Sequence, residues 1–174
     1  MGKKRIEVRF DEAARHWIFW EDGAIRVVIQ RDTNFPAEYG GHLVVEQKSG
    51  VKTPYGDYRL FARMAVVAAA VQKALEETGL APHANIQSNA NWGFRNPDGT
   101  FRTIEEGRSK RSLHLHVYGR KPKDPNWAEP VRPAYHAEQQ AGKYFGKVFS
   151  AHQMERVRNF LQKEIPEALH CLER

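Results

Sequence analysis

The chain has 174 residues, of which 41% are hydrophobic and 28% are charged. These values fit one globular domain with its own core, and they exclude a wholly disordered chain, a collagen and a coiled coil. The longest nearly apolar run, residues 64–71, is too short to span a bilayer, and no apolar signal region follows the basic N-terminus. We therefore expect a cytoplasmic protein without a membrane partner. The one cysteine, Cys171, excludes an internal disulfide and a cysteine-based zinc site.

Lysine and arginine residues outnumber aspartate and glutamate residues by 27 to 21, which gives a formal net charge of +6. A basic protein favours an anionic partner. A nucleotide, another phosphate compound and a nucleic acid would each satisfy this charge, and the charge alone does not distinguish among them.

The first third of the chain predicts an antiparallel meander. Apolar and polar residues alternate over 25–30, an aromatic segment covers 17–20, and Glu21-Asp22-Gly23 between them is typical of a turn. The expected strands lie at residues 6–8, 17–20, 25–29 and 42–46.

The rest of the chain predicts helices among further strands. Apolar residues recur at helical spacing over 58–78, and Gly79 is a typical end of such a helix. Ser150-x-x-Gln153 resembles a capping box that begins a final amphipathic helix, which Pro166 should kink or end. Strands are expected at 84–91 and 112–118, a long polar loop at 92–111, and an extended segment at 121–133. This order of elements predicts the α+β class.

The expected strand 112–118 is the most informative segment. Alternate side chains of a strand share a face, so its three apolar residues should enter the core. The opposite face would carry Ser112, His114, His116 and Tyr118. A neutral imidazole can attack phosphorus and hold a covalent intermediate, and a second imidazole can donate a proton to the leaving oxygen.

The segment Gly107-Arg108-Ser109, just before this strand, can offer backbone N–H groups, a guanidinium and a hydroxyl to phosphate oxygens. Together with the histidines it predicts a phosphate-handling site. Two other interpretations of His114 and His116 stay open at this point. They are equally typical of a structural, hydrogen-bonded pair, and two imidazoles on one strand face can share a metal ion.

Over residues 17–120 the sequence resembles the histidine triad (HIT) family of nucleotidyl hydrolases and transferases. The family signature is His-φ-His-φ-His-φ-φ preceded by Gly-Gln-Ser, and residues 112–118 with Gly107-Arg108-Ser109 before them are similar to it. The segment Gly41-His42-Leu43-Val44-Val45-Glu46-Gln47-Lys48 is similar to the family's Gly-His strand. Asn34 lies eight residues before His42, where the family carries a ribose-binding Asp or Asn.

The sequence departs from the family pattern at the first triad position, where Ser112 replaces a histidine. Another register would make His114, His116 and Tyr118 the triad, with His116 as the nucleophile. The first register is preferred because it keeps Gly107-Arg108-Ser109 in its family position, although Arg108 replaces the usual glutamine.

The resemblance implies roles for the four residues of the expected catalytic group. His114 would be the nucleophile that attacks the α-phosphorus, and His116 would hydrogen-bond the bridging or leaving oxygen. Ser112 would support the nucleophile in place of the first histidine. His42 would help to orient His114 without contacting the substrate.

The resemblance also implies a set of nucleotide-binding residues. Asn34 would bind the ribose hydroxyls, Asn91 or Asn89 would contact phosphate, and Gly107, Arg108 and Ser109 would bind phosphate oxygens. The implied fold is HIT-like, an antiparallel sheet with a long helix, here with an added C-terminal helix. Residues 1–120 would form the HIT-like domain, and 121–174 would be a C-terminal extension packed on it.

The implied function is a nucleotidyl hydrolase or transferase that acts on a nucleoside phosphate ester, anhydride or phosphoramidate through a nucleotidyl-histidine. It needs no metal or cofactor, and the family likeness also implies a homodimer. The alternative is a catalytically weak or inactive module that binds a nucleotide or RNA, which the replaced histidine and the basic charge favour. A metalloprotein built on His42, His114 and His116 ranks third.

Overall fold

A computed structural model describes residues 8–13, 15–31, 33, 35–53, 56–88, 96, 100–110, 112–127 and 142–174, with Ser109 and Lys110 described for their backbone alone. Within these residues six strands form one antiparallel sheet. The strands are β1 (Arg9–Asp11), β2 (His16–Glu21), β3 (Ile25–Gln30), β4 (His42–Gln47), β5 (His83–Gln87) and β6 (His114–Arg120). Their order across the sheet is β1-β2-β3-β4-β6-β5.

The first four strands form the expected meander, because each pairs antiparallel with the next. Val8 lies outside β1, and residues 6 and 7 of the predicted strand 6–8 lie outside the described residues. β5 ends at Gln87, and residues 89–91 of the predicted strand 84–91 also lie outside the described residues. β6 covers His114–Arg120 rather than 112–118, so Ser112 precedes the strand. β4 pairs with β6, which places the histidine strand between two neighbours. The antiparallel sheet with its separate helices confirms the predicted α+β class.

Both faces of the sheet bury apolar side chains. One face supplies residues such as Leu43, Val45 and Val117 to the main hydrophobic core. On the opposite face, Val28 and Val44 belong to a small separate cluster. The alternation of side chains along β3 predicts that Val28 lies on the face opposite the core residues, as the structure shows. The sequence did not predict that this second face is buried as well.

Three α-helices are described: α1 (Tyr58–Glu77), α2 (Ile104–Lys110) and α3 (Ala151–Leu172). α1 matches the predicted helix, and the carboxylate of Asp57 caps it by accepting a hydrogen bond from the Leu60 N–H at 2.9 Å. Its C-terminus is followed by Gly79 at a φ of +67°. None of the described helices is long and apolar enough to cross a membrane.

α3 packs against α1 and β2 on the core face of the sheet. Ser150 and Gln153 form the predicted capping box at its start. The helix does not end at Pro166, because Ile165 and Leu169 on either side of the proline are both buried in the main core. Their burial offsets the hydrogen bond that the proline cannot donate.

α2 lies within the predicted loop 92–111, so that expectation was wrong for residues 104–110. The cause is a local one. The carboxylate of Glu106 accepts a hydrogen bond from the Thr103 N–H at 2.9 Å, and the Thr103 hydroxyl accepts one from the Glu106 N–H at 3.3 Å. This reciprocal pairing is a capping box, which favours helix formation directly after Thr103.

Residues 121–127 form turns rather than the extended segment that the prolines predicted. Arg120 is buried at the end of β6, and its guanidinium binds the Asp124 carboxylate at 2.9 Å and the Asn85 side-chain oxygen at 2.8 Å. It also donates to the carbonyl oxygen of Asn126 at 2.5 Å. A buried charge needs such partners, so the turns fold back around the arginine.

Two glycines let the backbone approach β6 closely. Gly40, at a φ of +129°, follows a 3-10 turn over Ala37–Tyr39. A Cβ at Gly119 would lie 2.2 Å from the Gly40 carbonyl oxygen. The two backbones therefore touch at the start of β4, next to His42.

Gly119→Ala should destabilise the fold by about 2–3 kcal/mol, because the added methyl meets backbone that cannot rotate away. Urea denaturation measures this change. Gly23→Ala is the matched control, since a Cβ there meets nothing within 4 Å. Its free energy of unfolding should change by less than about 0.5 kcal/mol. Equal stability of the two variants would contradict the close approach.

Candidate active site

The pairing of β4 with β6 brings three histidines onto one face of the sheet. His42 pairs with Tyr118, Val44 with His116, and Glu46 with His114. Paired residues of adjacent strands project to the same side. Leu115 and Val117 lie in the main core, whereas His114 and His116 are half-buried on the opposite face. The predicted division of this strand into two faces is therefore confirmed for its histidines.

Hydrogen bonds connect these three imidazoles in a row. His42 Nε2 lies 2.8 Å from His116 Nδ1. His116 Nε2 lies 3.1 Å from His114 Nε2, and His114 Nδ1 lies 2.7 Å from the carbonyl oxygen of Ser112. We call this row, which runs from the Ser112 carbonyl to His42, the histidine chain.

For three neutral rings, the direction of every proton in the histidine chain follows from its one backbone member. A carbonyl oxygen only accepts, so His114 Nδ1 carries a proton and its Nε2 carries a lone pair. His116 Nε2 then donates to His114 Nε2, which leaves His116 Nδ1 as an acceptor. His42 Nε2 donates to that acceptor, and His42 Nδ1 is unprotonated.

The surroundings of His42 agree with this assignment. Its Nδ1 is buried and has no hydrogen-bond partner among the described residues, as suits a nitrogen without a proton. Burial, and then the neighbouring His116 and His114, hold the pKa of His42 well below its usual value of 6.5. Tyr118 stacks on the His42 ring with centroids 4.4 Å apart and planes at 12°. The strand pattern predicted Tyr118 on this face, but it did not predict the stacking of Tyr118 on His42.

Ser112 contributes its carbonyl to the histidine chain, and its hydroxyl points to a different partner. The Gln47 side-chain amide lies 3.5 Å from the Ser112 hydroxyl and also donates to the Val51 carbonyl at 3.2 Å. Val51 O accepts a second hydrogen bond from the Leu113 N–H at 3.0 Å. The main chain at Ser112 is thus held by the segment that follows β4.

The segment Gly107-Arg108-Ser109 lies on α2. The Gly107 N–H donates to the Thr103 carbonyl at 2.9 Å, so this amide is occupied within the helix. Arg108 is exposed, and the side chain of Ser109 lies outside the described part of the chain. Asn34, Asn89 and Asn91 also lie outside the described residues, so their predicted contacts with ribose and phosphate stay predictions.

A charged row begins beside His114 and was not found from the sequence. Glu46 is the register partner of His114 and forms a salt bridge with Arg26 on β3. Glu21 pairs in register with Arg26 and binds Arg9 at 2.8 Å. Alternation along each strand puts these residues on one face, but only the register across four strands reveals the row.

The described part of the site offers no cluster of metal ligands. Among the described residues, no group of three or more His, Cys, Asp or Glu side chains is placed to hold a metal ion.

Comparison with solved structures finds histidine triad proteins. One from Marinobacter aquaeolei VT8 is 17% identical, with 91% of this chain and 98% of that chain covered and a TM-score of 0.54. Another from Bradyrhizobium japonicum is 15% identical, with 92% and 99% covered and a TM-score of 0.53. A third, from Sinorhizobium meliloti 1021, is 17% identical, with 90% and 96% covered and a TM-score of 0.53.

The chain has a histidine triad-like fold. No family model matches its sequence, and no curated protein matches it either. At these identities the likeness concerns the fold. The fold expected from the Gly-His strand and the His-x-His strand is confirmed, and the function has to be argued from the site itself.

Acidification should destabilise the protein through His42. Its pKa is well below 6.5 when folded and returns to about 6.5 when unfolded, so the unfolded chain binds the extra proton as the pH falls. The contribution of His42 to stability is therefore full above about pH 6.5 and declines below it, by up to about 1.4 kcal/mol per pH unit. Urea denaturation at several pH values measures this slope.

His42→Gln should reduce the slope while its amide still donates to His116. His16 is also buried with a lowered pKa, which burial causes first, so part of the slope should persist. His83→Gln is the matched control, because His83 is exposed on β5. An unchanged slope in His42→Gln, or an equal loss in both variants, would contradict the buried neutral state of His42.

Proposed function

We propose that this protein is a HIT-like nucleotidyl hydrolase or transferase that acts on a nucleoside phosphate ester, anhydride or phosphoramidate. The observation that carries the proposal is the fixed proton direction of the histidine chain. It gives His114 Nε2 a lone pair and His116 Nε2 a proton, with the two nitrogens 3.1 Å apart. Once a phosphate enters, the His116 N–H can turn from this lone pair to a phosphate-bound oxygen, and the freed lone pair can attack phosphorus.

In the first step, the lone pair of His114 Nε2 forms a bond to the α-phosphorus. The bond from phosphorus to the leaving oxygen or nitrogen breaks. The His116 Nε2–H stabilises the leaving atom by donating a hydrogen bond to it, and that atom takes its proton from solvent. His114 keeps its Nδ1 proton and becomes a positively charged nucleotidyl-imidazole. The Ser112 carbonyl, 2.7 Å from Nδ1, stabilises that charge through a charge-assisted hydrogen bond.

In the second step, water or an acceptor hydroxyl attacks the same phosphorus. The attacking group loses its proton to solvent, the bond to His114 Nε2 breaks, and the lone pair of that nitrogen is restored. His42 stays neutral through both steps because its pKa is lowered by burial. Its Nε2–H holds the His116 ring with Nδ1 as acceptor, so the acidic proton of His116 stays on Nε2.

An apolar cluster borders the histidine chain on the same face of the sheet. Val44 is the register partner of His116, Val28 pairs with Val44, and Ile18 pairs with Val28. These three side chains lead away from His116 across the sheet. All three are buried, so the cluster packs this face of the sheet beside the histidine chain.

Slow turnover with retained binding is the second candidate function. The Ser112 hydroxyl lies toward Gln47 rather than toward an imidazole nitrogen. The support that a histidine would give the nucleophile at this position in the family is therefore reduced to a backbone carbonyl. A nucleotide-binding or RNA-binding module with weak catalysis would fit that loss.

His114→Ala should lower turnover by about 10³-fold or more, because it removes the nitrogen that forms the proposed covalent bond. The assay measures nucleoside monophosphate released from a dinucleoside polyphosphate, an adenosine phosphoramidate and an adenylated amine. His116→Ala should lower turnover most for the poorest leaving group, since that group most needs the hydrogen bond from His116. His83→Ala is the control and should keep full activity. Equal rates in His114→Ala and wild type would overturn the proposal.

Ser112→Ala should keep turnover within about threefold of wild type, because the carbonyl rather than the hydroxyl contacts His114. The same release assay measures it, with urea denaturation as the check on folding. A loss of more than about a hundredfold in a stably folded variant would show that the hydroxyl itself takes part.

A further inference from the structure

A second group of charged and aromatic side chains lies outside the histidine chain. Phe145 is 48% exposed, and the guanidinium carbons of Arg31 and Arg15 lie 4.9 and 5.9 Å from its ring centroid. Lys143 and Lys147, on either side of Phe145 in the chain, are also exposed. We call these five residues the basic–aromatic patch.

Backbone hydrogen bonds hold the basic–aromatic patch together. The Arg31 N–H donates to the Arg15 carbonyl at 3.0 Å, and the Gly146 N–H donates to the Arg31 carbonyl at 3.2 Å. The Lys147 carbonyl accepts from the Ala37 N–H at 2.9 Å. Three segments distant in sequence are thereby fixed side by side, so the patch is preorganised rather than a chance meeting of long side chains.

Arg15 adopts a backbone conformation that favours glycine. Its φ is +55°, the one positive φ among the described non-glycine residues. A side chain is strained there, and glycine would be the better residue for the fold alone. Strained residues occur preferentially at functional sites. The strain at Arg15 places its guanidinium beside Phe145.

We propose that the basic–aromatic patch binds single-stranded nucleic acid. Its exposed cations Arg31 and Lys147 suit phosphates of the backbone, and the exposed Phe145 ring suits stacking against an unpaired base. A small inorganic anion would leave the ring unused, and a duplex would keep its bases stacked on each other. Arginine beside an aromatic ring adds a second flat surface on which a base can stack.

A buried aromatic cluster connects the basic–aromatic patch to the histidine chain. Tyr144, next to Phe145 in sequence, is buried in a cluster with Phe35 and Tyr118. Tyr118 in turn stacks on His42. This connection runs through the interior, so binding at the patch does not rest on the proposed function.

Fluorescence anisotropy tests the binding, with a labelled oligothymidylate of about twelve nucleotides as the probe. Arg31→Gln with Lys147→Gln should weaken binding by about tenfold or more and lower the salt slope by about 1.4. Arg156→Gln with Lys163→Gln, on exposed positions of α3, removes the same charge and should change the affinity by less than about threefold. Equal losses in the two double variants, or no binding by wild type, would overturn the proposal.

Phe145→Leu separates nucleic acid from other polyanions, because leucine keeps apolar bulk but cannot stack on a base. It should weaken oligothymidylate binding by about tenfold and leave competition by inorganic polyphosphate unchanged. Arg15→Gly should also weaken binding while its melting temperature is at least that of wild type. If Phe145→Leu binds like wild type, the patch does not read bases and the proposal fails.

His114→Ala distinguishes this inference from the proposed function. It should bind the oligothymidylate as wild type does, because the patch does not include His114. An inactive wild type with patch-dependent binding would overturn the proposed function alone. An active wild type whose binding ignores the patch variants would overturn the patch alone.

Discussion

The hydrogen bond from His114 Nδ1 to the Ser112 carbonyl determines the chemistry of the whole site. It is the one contact in the histidine chain whose donor and acceptor cannot exchange roles, since a carbonyl has no proton to give. When the three rings are neutral, every other proton position follows from it, up to the unprotonated Nδ1 of His42. A serine can stand at position 112 in this scheme because the carbonyl belongs to the backbone.

The strand order of the sheet brings His42 into the same hydrogen-bonded row. β4 pairs with β6, so His42 lies beside the strand that carries His114 and His116. The contact between the Gly40 and Gly119 backbones supports that pairing at the end next to His42. Burial then keeps His42 neutral even at pH values where a solvent-exposed imidazole of ordinary pKa would take up a proton. The packing around His42 therefore keeps this ring neutral and able to donate from Nε2 to His116.

Local patterns in the sequence predicted those features that depend on neighbours along the chain. Strand alternation put His114 and His116 on one face. The Thr103 and Glu106 capping box was an equally local signal for α2, but the polar composition around it favoured a loop. The contact of His42 with His116 could not be predicted from spacing, because it depends on which strands pair. The position of Glu46 beside His114 could not be predicted for the same reason, because it depends on the register between β4 and β6.

Nitrogen-15 NMR of the imidazole rings, at a pH slightly above neutral, tests the account most directly. The chemical shifts and the couplings to ring hydrogens report which nitrogen of each ring carries the proton. Single His→Gln variants assign each signal to its residue. The account predicts a proton on Nδ1 and none on Nε2 of His114, with the reverse arrangement in His42. A proton on His114 Nε2 in the folded, neutral protein would contradict it, because the proposed nucleophile would then have no lone pair.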